Sequence, residues 1–190
     1  MKRLIPCIAL TSLMVALGSA QPLSDEFSRK GKWEVYGFGQ AIKIFNILES
    51  DANVFGGGLG VGYNVSRYVT LRFDLSINSV ELNDEGVLDW FHQTEDSTLY
   101  LGNISLDYNI LKSRVTPVAS LALGVGGMSA SKGGTSSTIF DQQLGIGVRW
   151  DASERVFTKL MFNLGLWETS NEDHEGWVAA GVSLVVGYKF

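Results

Sequence analysis

Cysteine is almost absent from this sequence, whose 190 residues include one, Cys7. Basic residues at positions 2 and 3, an apolar stretch over 4–17 and small residues up to Ala20 predict a signal peptide over residues 1–20, cleaved before Gln21. Removal of that segment leaves a mature chain with no cysteine. The chain is therefore expected to enter an oxidising compartment with no means of forming an internal disulfide.

Proline, charge and long apolar runs are also scarce. The sequence has three prolines and 18% charged residues, against 45% hydrophobic residues, which excludes a disordered chain. No run of 18 apolar residues follows position 20, so no membrane-spanning helix is predicted. Without Lys2 and Arg3, 13 basic residues face 20 acidic ones, and no basic cluster stands out. This acidic balance argues against a nucleic-acid partner.

The mature chain contains a strong alternation of apolar and polar residues, which indicates β-strands rather than helices. Eight segments show it, each of roughly 11 to 14 residues, which is long enough for a tilted strand to cross a bilayer. The predicted strands are 32–45, 55–65, 68–79, 97–110, 115–128, 139–150, 156–167 and 177–190.

The connections between these segments alternate in length. Short connections at 66–67, 111–114 and 151–155 alternate with long polar ones at 46–54, 80–96, 129–138 and 168–176. Tight turns on one side and longer loops on the other are typical of a transmembrane β-barrel. The sequence therefore predicts an all-β fold: an eight-stranded antiparallel up-and-down transmembrane β-barrel over residues 32–190, after a signal peptide (1–20) and a short periplasmic segment (21–31).

The phase of the alternation predicts which side chains face lipid. In the seventh segment Leu160, Phe162 and Leu164 share one face, opposite Lys159 and Asn163. We expect the apolar face to point outward, although a soluble barrel would enclose it instead.

The first segment breaks the phase. Trp33 and Val35 could face lipid, but Ile42 and Ile44 then point inward. A β-bulge near Gly39 or Ala41 would restore the phase.

Charges of both signs occupy inward positions of the predicted barrel. Buried charges need partners, and the interior of an eight-stranded barrel is just wide enough for its own side chains. We therefore predict a salt-bridged plug, with a gated conduit or proton path as the alternative. Inward glycines at 56, 58, 60 and 62 would leave room for long side chains. The predicted interior network is Arg72, Asp74, Asp107, Asp141, Arg149, Lys159 and Lys189.

The chain ends on a phenylalanine, with apolar side chains at alternate positions before it: Leu184, Val186, Tyr188 and Phe190. This ending resembles the terminal signature of bacterial outer-membrane β-barrels. The mature chain resembles in architecture the small eight-stranded family that includes the OmpA transmembrane domain, OmpX and the Opa-type surface proteins. The resemblance implies an outer-membrane location and recognition of the last strand by the barrel-assembly machinery.

The resulting functional hypothesis is a structural or surface-interaction role through the loops at 80–96, 129–138 and 168–176. The expected partners are outer-membrane lipids, lipopolysaccharide and, during insertion, the barrel-assembly machinery. We expect a monomer with no cofactor and no metal site. The acidic residues of 84–96 and 173–175 match no defined calcium loop and indicate a solvated surface.

Two other functions remain open. Some eight-stranded barrels are lipid A deacylases with a His-x-Ser-Asn motif, and the nearest match here places Glu168 where the histidine should stand, before Ser170 and Asn171. The base that would activate the serine is missing, unless His174 returns through its loop. The second alternative is a soluble secreted barrel that binds an apolar ligand.

Overall fold

The computed structural model describes residues 28–45, 51–82, 97–130, 137–169 and 176–190. Eight strands follow one another along the chain, and each pairs antiparallel with its neighbour. No helix among the described residues is long and apolar enough to cross a bilayer. The strands are β1 (Trp33–Phe45), β2 (Asp51–Asn64), β3 (Val69–Leu82), β4 (Ser97–Asn109), β5 (Val115–Ala130), β6 (Ser137–Trp150), β7 (Val156–Thr169) and β8 (Gly176–Lys189).

The sheet closes on itself because β1 pairs with β8. The Trp33 amide donates to the Phe190 carbonyl at 3.1 Å, and the Phe190 amide donates to the Trp33 carbonyl at the same distance. Closure satisfies the backbone groups that an open edge would leave unpaired in hydrocarbon. The predicted fold class, an eight-stranded closed antiparallel barrel, is confirmed.

The strands extend further than predicted at one end of the barrel, which we call the loop end because the four connections predicted to be long leave from it. The longer strands reduce three of these connections to five or six residues, and only 83–96 is much longer than the turns at the other end. There β2 begins at Asp51, four residues early, and β3 continues to Leu82. Polar residues interrupt the hydrophobic alternation at these positions, but they do not interrupt backbone pairing. The opposite end, the turn end, contains the short connections 65–68, 110–114 and 151–155.

The predicted bulge in β1 is wrong. The pairing of β1 with β2 is uninterrupted from Trp33 to Phe45, and the pairing with β8 is equally regular. Ile42 and Ile44 stay in the inward phase and are 8% and 2% exposed. They fit there because the loop end of the interior is itself apolar, so no phase change is needed.

The apolar faces of the strands point outward. Leu160, Phe162 and Leu164 are each about half exposed, whereas Lys159 is 1% exposed and lies inside. Large apolar side chains cover the outer wall on all eight strands. A water-soluble protein rarely exposes an apolar surface of this extent, so the wall is suited to lipid and the soluble-barrel alternative loses its basis.

Candidate functional site: the barrel interior

The interior near the turn end is a cluster of buried ion pairs centred on Asp151, in the β6–β7 connection. Its carboxylate accepts from Arg29 Nε at 2.7 Å, Arg149 Nη2 at 3.0 Å and Lys189 Nζ at 2.8 Å. Arg149 Nη2 also donates to Glu34 Oε1 at 2.6 Å, from the opposite side of the bore. All five side chains are 2% exposed or less. Each carboxylate therefore meets the cations that offset the cost of burying it.

Arg29 reaches this cluster from the segment before β1. Gly31 adopts φ = 78°, a left-handed conformation that glycine accepts without strain. The turn is held by the Lys32 amide, which donates to the Arg29 carbonyl at 3.1 Å, and by the Gly31 amide, which donates to the Asn64 carbonyl at 2.8 Å. It directs Arg29 under the barrel, where Nη2 donates to the Ser113 carbonyl at 2.8 Å.

The carboxylate of Asp151, at the centre of this cluster, is ionised over the usual pH range. Burial would raise the pKa of Asp151, but Arg149, Arg29 and Lys189 outweigh it and lower the pKa to about 2. Burial lowers the pKa of the Arg29 guanidinium, and the charge of Asp151 opposes that change. Asp151 is therefore ionised above about pH 4 and keeps the negative charge that its three cationic neighbours require.

A second ion-paired group lies nearer mid-barrel. Asp107 Oδ2 accepts from Lys159 Nζ at 2.6 Å and from Arg72 Nη1 at 3.4 Å. Arg72 Nη2 also contacts Asp74 Oδ1 at 3.1 Å. The Tyr36 hydroxyl bridges Arg72 and Asp74, because it accepts from Arg72 Nε at 2.8 Å and donates to the Asp74 carboxylate at 2.5 Å. These contacts join strands β1, β3, β4 and β7 across the bore.

Asp141 stands apart from both groups. It is 1% exposed and accepts from Gln143 Nε2 at 2.5 Å, but it forms no ion pair with any described residue. Of the seven residues predicted as an interior network, the structure thus brings six into the two ion-paired groups and leaves Asp141 alone. A lone buried carboxylate is costly, and this residue is the weak point of the interior.

A polar cavity of about 50 Å³ lies beside Arg72 and Asp74. Asn103, Ser105 and Gln143 also line it. Asn103 Oδ1 and Ser105 Oγ are buried atoms with no hydrogen-bond partner among the described groups. Such a space suits a few ordered water molecules, which would satisfy these atoms.

The loop end of the interior is apolar, which the sequence analysis did not predict. The signal was present: apolar side chains occupy inward positions at the loop-end tips of most strands, as Ile42 and Ile44 do in β1. Burial of apolar surface away from water stabilises this end. The cluster comprises Ile42, Ile44, Ala52, Val54, Val80, Leu99, Leu101, Met128, Ile139, Trp167, Trp177 and Ala179.

The sequence analysis also missed Arg29, Glu34 and Asp151 as members of the ion-paired interior. Glu34 occupies an inward position of β1, so the alternation of inward and outward positions along the strand could have identified it. Arg29 and Asp151 lie outside the strands, where the alternation of apolar and polar residues predicts nothing about facing. Only the tertiary fold brings them together.

The inward glycines of β2 provide room for the interior side chains, as the sequence suggested. A Cβ atom at Gly60 would collide with the Tyr36 ring and the Asp74 carboxylate, and one at Gly56 would collide with Asn78. Glycine in a strand often marks such a close approach.

The four residues proposed as an assembly signal lie on the outer face of β8 and at its end. Leu184, Val186, Tyr188 and Phe190 are 54%, 52%, 39% and 64% exposed. They are accessible in the folded barrel, but recognition by the assembly machinery stays a prediction.

The loop motifs lie largely outside the described residues. Ser170, Asn171 and His174 are among them, and so are the acidic residues of 84–96 and 173–175. Glu168 is exposed near the end of β7. Within the described ranges, no group of three His, Cys, Asp or Glu side chains could hold a metal ion.

Comparison with known proteins gives a match in structure only. No protein-family model matches the sequence, and no curated protein matches it. The crystal structure of Neisserial surface protein A is similar, with 19% identity, a TM-score of 0.61, and 85% of this chain and 100% of that chain covered.

Two further crystal structures are similar at lower identity. Ail, the attachment invasion locus protein of Yersinia pestis, has 13% identity and a TM-score of 0.54, with 85% of this chain and 99% of that chain covered. The outer membrane protein OprG from Pseudomonas aeruginosa has 12% identity and a TM-score of 0.53, with 88% and 99% covered. The resemblance inferred from the sequence is thereby confirmed at the level of the fold. The chain has the fold of the small outer-membrane β-barrel proteins, with an apolar outer wall suited to a membrane.

Proposed function

We propose that this protein is a non-enzymatic component of the bacterial outer membrane, in which the barrel anchors the long connections at the cell surface. The observation that carries the proposal is the filled interior. Two ion-paired groups and an apolar cluster occupy the bore in succession, and the described cavity has room for only a few waters. A barrel filled in this way is a rigid anchor rather than a solute path.

The connections proposed to face the outside have a distinctive charge. Segments 46–50, 83–96, 131–136 and 170–175 contain nine acidic residues and one basic residue. Ail has been crystallised with the heparin analogue sucrose octasulfate, a polyanion. The acidic segments of this chain do not suit a polyanion, so we favour a cationic surface as the partner of the loops. Contact with lipopolysaccharide phosphates would require bridging divalent cations.

Conductance in a planar bilayer tests the plug. The refolded mature protein should give no steady conductance. A matched variant carrying Tyr36→Ala and Arg72→Ala removes two side chains that cross the mid-barrel, and it should conduct more than the parent. Stable channels in the unmodified protein would overturn the proposal.

The enzymatic rival has its own test. Lipid A incubated with the protein should keep all its acyl chains in mass spectra, both with the parent and with Ser170→Ala. Release of an acyl chain that disappears in the Ser170 variant would establish the deacylase function instead.

A further inference from the structure

The turn end of the barrel carries exposed positive charge. Exposed bases occur in the segment before β1 and in all three short connections: Lys30, Arg67, Lys112, Arg114 and Arg155. Glu154 is the exposed acid among the described residues of this rim. The long connections have the opposite sign, so the two ends of the barrel differ strongly in charge.

Aromatic side chains form a collar just inside this rim, on the outer wall. Trp33 and Tyr63 have ring centroids 5.0 Å apart, and Tyr68 and Tyr108 are stacked at 6.1 Å. Tyr188 completes the collar next to the closing strand pair. Tyrosine and tryptophan concentrate where hydrocarbon meets headgroups, so the collar marks the level of the headgroups at the turn end.

The bases lie directly on this collar. Lys112 Nζ is 5.2 Å from the centre of the Tyr68 ring, and Arg155 Nη1 is 3.1 Å from the Tyr188 hydroxyl. These contacts hold the cations at the depth where lipid phosphates lie. A cation held at that depth attracts an anionic headgroup more than a freely moving one does, because less side-chain freedom is lost on binding.

A groove on the outer wall leads away from Tyr188 toward mid-membrane. Its volume is about 740 Å³, and Val35, Leu59, Phe73 and Val186 are among its lining residues. Gly37 and Gly60, which have no side chain to fill it, also line the groove. The groove is apolar and continues from the headgroup level, so it has the shape and chemistry to take an acyl chain.

We propose that the turn end binds anionic glycerophospholipids of the periplasmic leaflet, with one phosphate at Arg155 beside Tyr188 and another at Lys112 beside Tyr68, on the far side of the rim. An acyl chain of the lipid at Arg155 lies in the groove on the outer wall. The inference rests on the proposed orientation, which puts the turn end at the periplasm. Charge complementarity selects an anionic lipid, because a zwitterionic headgroup would bring a positive group to the same rim.

Spin-labelled lipids measure this preference. The mature protein is reconstituted in phosphatidylcholine bilayers with a trace of spin-labelled phosphatidylglycerol or phosphatidylcholine, and the motionally restricted fraction gives the relative association constant. We expect phosphatidylglycerol to be preferred. Lys112→Gln with Arg155→Gln should lower that preference by up to about fivefold per base removed. Lys43→Gln, a change of an exposed base at the loop end, is the matched control and should leave it unchanged.

Equal association of the two lipids with the parent protein would overturn the inference, and so would an equal loss in the Lys43 control. Heat-modifiable gel mobility and membrane fractionation are measured on the same samples. Failure to insert would count against the proposed function itself, whereas correct insertion without lipid preference would count against this inference alone.

Discussion

Neutralising Asp107 should destabilise the barrel far more than neutralising Asp141, although both carboxylates are buried inside it. Asp107 accepts from Lys159 at 2.6 Å, Arg72 at 3.4 Å and Ser120 at 2.8 Å. Asp107→Asn leaves Lys159 without the partner that offsets its burial, and breaking a buried pair in this way typically costs about 3–5 kcal/mol. Asp141→Asn removes a buried charge that has no cationic partner among the described residues, so it should cost less than about 1 kcal/mol or even stabilise the protein.

Urea unfolding in lipid vesicles, followed by tryptophan fluorescence and gel mobility, measures both free energies. A third variant sharpens the comparison: Lys159→Met added to Asp107→Asn should recover part of the loss, because the orphaned ammonium is gone while Arg72 keeps Asp74. Equal destabilisation by the two Asp→Asn changes would refute the assignment of Asp107 as a shared acceptor. No recovery in the double variant would refute the explanation by an unpaired lysine.

Three further outcomes follow from the facing, the cluster at the turn end and the closing strand. Phe162→Arg places a charge on the lipid wall and should cost about 2–4 kcal/mol, whereas Asn163→Arg meets the polar interior, and urea unfolding of the pair should show a smaller loss for the second. The pKa of Asp151 is lowered from 3.8 to about 2, so its contribution to the free energy of unfolding is complete above about pH 4 and disappears as the pH falls through 2. Acid unfolding of Asp151→Asn should therefore show no such loss of stability between these pH values. Serine at both Tyr188 and Phe190 should lower the amount of membrane-inserted protein in cells, and undiminished insertion would contradict their role as an assembly signal.

The sequence was sufficient for the fold because lipid imposes a strict alternation on a strand. Leu160, Phe162 and Leu164 face outward because a polar side chain there would be exposed to hydrocarbon. The same alternation is observed in β3, where Leu71, Phe73 and Leu75 are exposed and the polar side chains between them are buried. It predicted strand ends less well, since backbone pairing at Asp51 continues without any need for apolar side chains.

The interior was less predictable because no solvent dictates a single chemistry there. Ile42 and Ile44 pack in the apolar cluster at the loop end. Glu34 also points inward from β1, but it lies at the turn end and pairs with Arg149. A rule that assigns one polarity to the whole inner face therefore required a bulge in β1 that does not exist. Arg29 was beyond prediction, because its role depends on a turn at Gly31 and on Asp151 more than 100 residues away.

The ion pairs across the bore connect strands that are not neighbours in the sheet. Hydrogen bonds of the sheet join only neighbouring strands, but Glu34 to Arg149 joins β1 to β6, and Asp107 to Lys159 joins β4 to β7. A shift of β1 by one residue would turn Glu34 outward, which exposes a charge to lipid and leaves Arg149 with one carboxylate fewer. Only the correct register keeps charged side chains off the lipid-facing wall and also keeps the ion pairs inside the bore. The ion-paired interior therefore specifies the closure of the barrel, in which the last strand meets the first.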